Sequence, residues 1–543
     1  MNKIKILSLG GLNENGKNTY IIEIDEKIFI LDVGLKYAND SMFGIDYIIP
    51  DYSYLVKNKN KIVGVFLTHA HPENMGAVKD LCDAIPNLKV YCTRYTKKYL
   101  ELEGFNYKVH EVQAHKKLTF GNVSVFPISV SHSVPDAVMY VLNTKDGAIV
   151  YTGDFIIDPS MTGRYNMDIG KIAYIGKQGV LCMLSDSAFS ERSGHTSPNH
   201  RLTNFFRDCI NRAESRIIFT VLPIHLFTIE EIFEAAKNSR RKIVVMGKKL
   251  QSVINMAIED KYLTIDKDIL GDLSNINDNN VILLVCDDKD KPYAAIDRIV
   301  SGYDKFIKLK KEDTIIFAEP RYDENEKIIV RLENEIAMMG AETISIPKGK
   351  EISHHASSED IMLMIDLLKP KYYMPVEGEY RYMVNNAHLA DKLGIKPENI
   401  ILKTNGEVVK IEDKVLQECN EIITINDVLI DGNSNDDIGE LVIKDREMLS
   451  ENGIVLISAT LSKSDKRILV GPEVTTRGFI YVKDSKEMID NIKKISLGVI
   501  EDNINNNYVD YNNIKLGIRE SLSKYFYEET ECKPMIIAVI QEV

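Results

Sequence analysis

Apolar and polar positions alternate in short runs over the first 160 residues. "KIKILSL", "TYIIEID", "KIFILDVG", "IVGVFLT", "KVYCT", "VSVFPISVS" and "AIVYTGDF" are β-branched or apolar stretches bounded by Gly, Asn, Asp or Lys, and they predict strands with tight turns. Asp32, His69, His71, His132 and Asp154 all fall just past predicted strand ends, where a rigid sheet presents functional side chains. From about 196 to 345 the pattern changes. "NHRLTNFFRDCINRAE" and "FTIEEIFEAAKNS" have helical periodicity, and "RIIFTVL", "KIVVMG", "NVILLVC" and "DTIIFAE" read as buried strands. Such alternation predicts a separate α/β unit with a mainly parallel sheet. Residues 346–410 return to short turns with one good helix, "RYMVNNAHLADKLG". The polar stretch "DGNSNDD" (431–437) reads as a linker or exposed loop. Residues 440–543 predict a further α+β unit, with strands near "GIVLISATL" and "PMIIAVIQEV" and two long helices between them.

A chain of 543 residues exceeds one hydrophobic core and predicts two to four domains. Its 67 Lys and Arg against 80 Asp and Glu give a net charge of −13, so any contact with a polyanion is confined to a local surface rather than driven by the overall field. The seven cysteines (Cys82, Cys92, Cys182, Cys209, Cys286, Cys419, Cys532) show no Cys-x-x-Cys spacing and read as free, mostly buried thiols of a reducing compartment. With no signal-like start and no run approaching the ~18 apolar residues of a membrane span, the expected location is the cytoplasm, with no membrane partner.

The chemistry concentrates in "FLTHAHPENMGAV". His-x-His after a strand lets two imidazoles face one ion while the turn backbone stays clear. Alone it is weak evidence. His132 in "PISVSHSVPDA", Asp154 in "AIVYTGDFIID", then His354 and His355 in "EISHHASSED" and Glu377 in "PKYYMPVEGEYRYM" extend it into an ordered series interrupted by the α/β insertion.

That order resembles the ribonuclease J family: nucleases of the metallo-β-lactamase fold carrying an inserted β-CASP domain. The resemblance runs from "LGGLNENGKNTYIIE" through "GIDYIIPDYSYL", "LSDSAFSERSGHT", "LLKPKYYMPVEGEYR" and "GPEVTTRGFIYVKDS" to "KPMIIAVIQEV", essentially the whole chain. It implies an α/β fold: a metallo-β-lactamase αββα sandwich in two parts (1–195 and 346–420), a β-CASP domain (196–345), a linker (421–439) and a C-terminal α+β assembly domain (440–543). The implied activity is metal-dependent 5′→3′ exoribonuclease, and also endoribonuclease, action on 5′-monophosphorylated single-stranded RNA.

By the same resemblance, His69, His71, His132 and Asp154 would hold a first zinc ion. The family motif His-x-His-x-Asp-His reads here His69-Ala70-His71-Pro72-Glu73-Asn74, and the late His of the second ion's set is Glu377. Glu73 keeps a carboxylate one methylene longer, which displaces it by about 1 Å, a misplacement that can cost ~100-fold in rate. Asn74 is a poor zinc ligand, and Glu377 favours a harder ion such as Mn²⁺ or Mg²⁺. Glu73 would also be the altered general base, with Asp154 and His355 completing the implied catalytic set. The phosphate loop reads Glu351-Ile352-Ser353-His354-His355: Ser353 and His355 match the family, Glu351 puts negative charge where a phosphate lies, and His354 replaces a Gly. A Gly-rich phosphate stretch of the inserted domain has become "LVCDDKDKPYAAIDRI", with Asp287, Asp288 and Asp290.

Asp186, Ser187 and His225 match substrate contacts, although Asp186 also reads as a turn cap and His225 as a core histidine. Gly44, Asp46 and Asp437 would be candidates for a Ca²⁺ site. His110, His115, His195, His200 and His388 read as ordinary surface or packing residues. Some bacteria carry two paralogues of the family, the second with a degraded motif, and this chain resembles that second type. Its implied partners are a second copy in a homodimer or an active paralogue in a hetero-oligomer. The alternative to an enzyme of weakened activity is an inactive structural subunit.

Overall fold

In a computed structural model of the chain, the structure describes residues 3–39, 42, 44–287, 291–319, 321, 323–347, 354–432, 440–462, 464–479, 486–504 and 510–543. They fall into two compact units, Met1–Lys36 with Ile49–Asp427, and Tyr37–Ile48 with Val428–Val543.

The larger unit contains a sandwich of two sheets. One has eight strands in the order Val415–Gln417, Val409–Glu412, Lys3–Gly10, Thr19–Ile24, Lys27–Leu31, Ile62–Phe66, Val90–Cys92, Val109–Glu111. The other has six: Tyr372–Val376, Val180–Asp186, Gly147–Tyr151, Val138–Thr144, Val123–Ser129, Leu118–Phe120. Ile6, Tyr20, Ile22 and Phe66 from the first pack against Val125, Tyr140, Tyr151 and Leu184 from the second in one buried cluster. Such facing of two apolar sheet faces is what alternating strands require. Helices Ile169–Gln178, Ser358–Leu368 and Tyr380–Lys392 cover the outer face of the six-stranded sheet, where Ile172, Ile361, Met364 and Leu389 are buried.

The inserted α/β unit has five parallel strands in the order Lys242–Met246, Val281–Val285, Ile217–Thr220, Thr314–Phe317, Glu342–Ser345. The expected parallel sheet is therefore present. The smaller unit has a sheet in the order Arg467–Arg477, Ile454–Ser462, Met535–Glu542. Helices Lys486–Ile504 and Tyr511–Thr530 bury Ile492, Ile500, Ile518 and Phe526 in its core.

Two stretches differ from the sequence expectation. The first 160 residues also hold helices Val78–Ala84 and Arg94–Leu102, and the second buries Tyr95, Thr96, Tyr99 and Leu100 along one helical face. Residues 346–410 hold a second helix, Ser358–Leu368, which buries Asp360, Ile361, Met364, Ile365 and Leu368. The i, i+1, i+4 spacing was present in both, but short apolar runs also fit buried strands.

Candidate metal centre

The strand Ile62–Phe66 runs into Thr68 and the turn Pro72–Met75. Three backbone bonds pin that turn: Asn18 N donates to Glu73 O (3.0 Å), Val33 N to Asn74 O (2.7 Å) and Leu35 N to Pro72 O (3.0 Å). Gly34 is essential to this approach, since a Cβ there would lie 1.6 Å from the Glu73 carbonyl oxygen. The turn is fixed, so it cannot shift to absorb a longer side chain.

His69, His71, His132 and Asp154 are buried together, with one ligand atom from each lying within 4.8 Å of the others. His132 Nε2 is 3.2 Å from His71 Nδ1, and His69 Nε2 is 3.4 Å from Asp154 Oδ2. Donors about 2.0–2.1 Å from a tetrahedral ion are separated by about 3.3 Å, so these spacings fit a metal. Among the described residues His69 Nε2 and Asp154 Oδ2 have no hydrogen-bond partner despite complete burial, which a shared cation would repair.

The chain also sets the tautomer of His69. Asp32 is buried and accepts bonds from Thr68 N (2.7 Å), Thr68 Oγ1 (2.8 Å), Asn74 Nδ2 (3.1 Å) and Tyr151 OH (2.8 Å). Thr68 spends its only O–H on Asp32, so at 2.9 Å its oxygen accepts from His69 Nδ1–H. The Nε2 lone pair then faces the other donors, the arrangement a metal-binding histidine needs. Burial raises the Asp32 carboxyl to about 6; its place just past a strand end is legible in the sequence, whereas its role as anchor of this chain of bonds comes from the fold.

A second group, Asp154, His355 and Glu377, also brings its ligand atoms within 4.8 Å. Glu73 joins neither group among the described residues. Asn74 turns its nitrogen toward Asp32 and toward Asp154 Oδ1 (3.5 Å), as it must, because both carboxylates only accept. Asn18 Nδ2 donates to Glu377 Oε1 at 2.7 Å. Amide N–H groups therefore face the carboxylates where a second cation would sit, and the residues present do not fit a second zinc site of the usual type. Burial, then Asp154 and Asp186, push Glu377 well above the ordinary carboxylate range. Burial opposes charge on His355, but Asp186, with Nδ1 and Oδ2 2.8 Å apart, and then Asp154 outweigh it and lift the imidazole to about 9.

Asp186 has a double role: its Oδ1 caps the turn by accepting from Ala188 N at 2.8 Å while Oδ2 holds His355. Ser187 Oγ accepts from Asn386 Nδ2 at 3.0 Å. His225 is buried, with Nδ1 3.1 Å from Glu319 Oε2, and the neighbouring Ile224 O meets His71 Nε2 at 3.3 Å. His354 is buried against His225 (ring centroids 4.1 Å apart), His71 (5.7 Å) and His132 (5.9 Å), and neither of its nitrogens has a hydrogen-bond partner among the described residues. Glu351, Ile352 and Ser353 lie outside the described residues, as do Asp288, Asp290 and Asp437. In the smaller unit Asp46 Oδ2 accepts from Gly432 N at 2.9 Å, and a Cβ on Gly44 would meet the Arg446 guanidinium.

Residues 12–166 match the metallo-beta-lactamase superfamily, 214–336 the ribonuclease J beta-CASP domain, 348–401 the Zn-dependent metallo-hydrolase RNA specificity domain, and 441–543 the ribonuclease J C-terminal domain. The chain is 35% identical over 549 aligned residues to Ribonuclease J2 of Bacillus subtilis, covering 99% of each. It belongs to the ribonuclease J family. Ribonuclease J 2 of Staphylococcus aureus is 33% identical over 99% of this chain and 98% of its own length. A solved Enterococcus faecalis protein of unknown function shares the fold, with a TM-score of 0.54 at 15% identity over 75% of this chain and all of its own. A ribonuclease J-family fold with metallo-β-lactamase and β-CASP parts accounts for the two-part sandwich and its insertion. The His/Asp group has the donor set of a metal site, which with the matched metallo-hydrolase domains suggests a metal cofactor; no helix among the described residues is long and apolar enough to cross a membrane.

Metal binding to His69, His71, His132 and Asp154 is expected to raise the unfolding temperature. An ion at 100 times its dissociation constant adds about 2.7 kcal/mol of stability. Thermal melts with Zn²⁺ against chelator read the shift, which His132→Ala is expected to abolish.

Proposed function

We propose that this chain is a metal-dependent ribonuclease of weakened intrinsic activity, acting 5′→3′ and also internally on 5′-monophosphorylated single-stranded RNA in processing and decay. The observation that carries this reading is the buried group of His69, His71, His132 and Asp154, with His69 Nε2 and Asp154 Oδ2 3.4 Å apart and neither hydrogen-bonded among the described residues. Bound there, a zinc ion would act as Lewis acid on a phosphoryl oxygen and activate water. The protein's part is to orient His69 through Thr68 and Asp32, to keep His71 on Ile224 O, and to hold His355 on Asp186 beside the reacting phosphate. Glu73 serves as general base, and Ser353, His354 and His355 of the 351–355 segment, with Asp186, Ser187 and His225, line the substrate. RNA as the ligand is supported by the match of residues 348–401 to an RNA specificity domain and by the names of the full-length relatives.

We assign 1–195 and 346–420 to the metallo-β-lactamase part, 196–345 to β-CASP, 421–439 to a linker and 440–543 to assembly, with a second copy or a paralogue as partner in the cytoplasm. The second reading, an inactive subunit supporting an active paralogue, is favoured by the amides of Asn74 and Asn18 standing against Asp154 and Glu377.

Metal content by elemental mass spectrometry, paired with decay of 5′-monophosphorylated RNA in Zn²⁺, Mn²⁺ or Mg²⁺, separates the two. The enzyme reading expects about one ion per chain and slow cleavage, both lost in His69→Ala/His71→Ala. Decay no faster than that control would leave the structural subunit.

A further inference from the structure

Beyond the groups already placed, the turn that follows strand Val180–Asp186 carries a second set of side chains. Phe189 and Arg192 are half-buried, and the Arg192 guanidinium carbon lies 3.7 Å over the Phe189 ring. That distance is van der Waals contact between the guanidinium and the ring. The Phe189 ring in turn meets His355 edge-on, with centroids 5.0 Å apart. The aromatic–guanidinium pair therefore adjoins a residue of the proposed substrate site.

Three positions on, His195 is half-exposed, but its Nδ1 sits 2.6 Å from Oδ1 of Asp360, which is fully buried. The other oxygen of Asp360 accepts from Thr196 N at 2.9 Å. The Asp360 carboxylate only accepts, so Nδ1 is the nitrogen that carries the proton, and in that tautomer Nε2 is an acceptor. A phosphate cannot donate to it. A ribose 2′-hydroxyl can, and the 2′-hydroxyl is the group that separates RNA from DNA.

The turn is held from several directions. Asn385 Nδ2 donates to Ser190 O (2.6 Å), Ser190 Oγ to Tyr382 O (2.8 Å), Ser358 N to Arg192 O (2.9 Å) and Glu359 N to Gly194 O (3.2 Å). Each of these partners lies in the stretch that matches an RNA specificity domain. A platform fixed in this way loses little freedom when a ligand stacks on it.

We propose that Phe189, Arg192 and His195 form a nucleotide subsite beside His355: a base of single-stranded RNA stacks on the Arg192 guanidinium backed by Phe189, and the ribose 2′-hydroxyl donates to His195 Nε2, which Asp360 orients. Unpaired bases are bound in this way on aromatic and guanidinium planes. The subsite rests on the RNA reading above but is independent of whether cleavage occurs, so it is tested by binding.

The experiment is anisotropy of a 3′-labelled, 5′-monophosphorylated, phosphorothioate-linked RNA with the full-length protein, compared with DNA of the same sequence. Arg192→Ala is expected to weaken RNA binding roughly 10-fold. Arg192→Lys is expected to lose as much, because it keeps the charge and lacks the plane. The penalty should vanish on an RNA whose base at one position is replaced by an abasic ribose. His195→Ala should cost RNA roughly 2- to 10-fold and leave DNA unchanged. Wild-type affinity in Arg192→Lys, or equal losses for RNA and DNA in His195→Ala, would overturn the subsite and leave the RNA reading intact. A wild-type protein with no measurable RNA affinity would overturn both.

Discussion

Changing Glu73 to Asp, Asn74 to His and Glu377 to His together is expected to raise RNA cleavage by ~100-fold or more and to take the metal content from about one ion per chain to about two. The Pro72–Met75 turn is held by backbone bonds from Asn18, Val33 and Leu35, and Gly34 packs against it with no room to spare. A longer side chain at 73 therefore cannot be accommodated by moving the loop, and shortening it by one methylene moves the carboxylate back by about 1 Å. At 74 an imidazole offers a lone pair where the amide offers N–H groups to Asp32 and Asp154. At 377 the change removes a carboxyl group buried beside Asp154 and Asp186, which at present hold it well above its ordinary range after burial itself. The three positions act on one ion, so single substitutions should recover far less than the set. Two ions without faster cleavage would locate the loss in the 351–355 segment; one ion and an unchanged rate would refute the account of the second position.

The second large effect concerns stability. Arg216→Ala is expected to destabilise the inserted domain by about 3–5 kcal/mol, read as a lower urea midpoint. Arg216 is fully buried; its Nε donates to Asp313 Oδ1 (3.0 Å), Nη1 to Ile276 O (2.9 Å) and Nη2 to Lys308 O (2.8 Å). The pair stands just before Ile217–Thr220 and Thr314–Phe317, neighbouring parallel strands that pair Ile217 with Thr314, so it fixes where both begin. Removing only the cation leaves Asp313 charged in a site closed to water and two carbonyls unpaired. Replacing both partners, as in Arg216→Met/Asp313→Leu, should cost much less, because no buried charge remains. Equal losses in the single and double variants would show that volume, not charge, sets the cost.

Much of the architecture was legible as pattern. Alternating runs marked strands such as Lys3–Gly10, Thr19–Ile24 and Lys27–Leu31, and the shift to helical periodicity after residue 196 marked the parallel α/β insertion. His69, His71, His132 and Asp154 could be singled out because each follows an apolar run, and the fold does bring them within 4.8 Å of one another. Periodicity is less informative where the runs are short, and the apolar runs of helices Arg94–Leu102 and Ser358–Leu368 fit buried strands as well.

Sequence by itself determined the residue types: three imidazoles and a carboxylate that can hold an ion, and an amide and a longer acid where a second ion would be held. Only the tertiary structure decided which end of each group faces which neighbour. Asn74 presents nitrogen because Asp32 and Asp154 converge on it from elsewhere in the chain. His69 presents Nε2 because Thr68 is already committed to Asp32. His355 is tied to Asp186 across 169 residues, and His195 to Asp360 across 165. Local sequence sets backbone periodicity through sterics and burial, whereas a donor's direction is set by partners that only the closed sandwich brings within 3 Å or so.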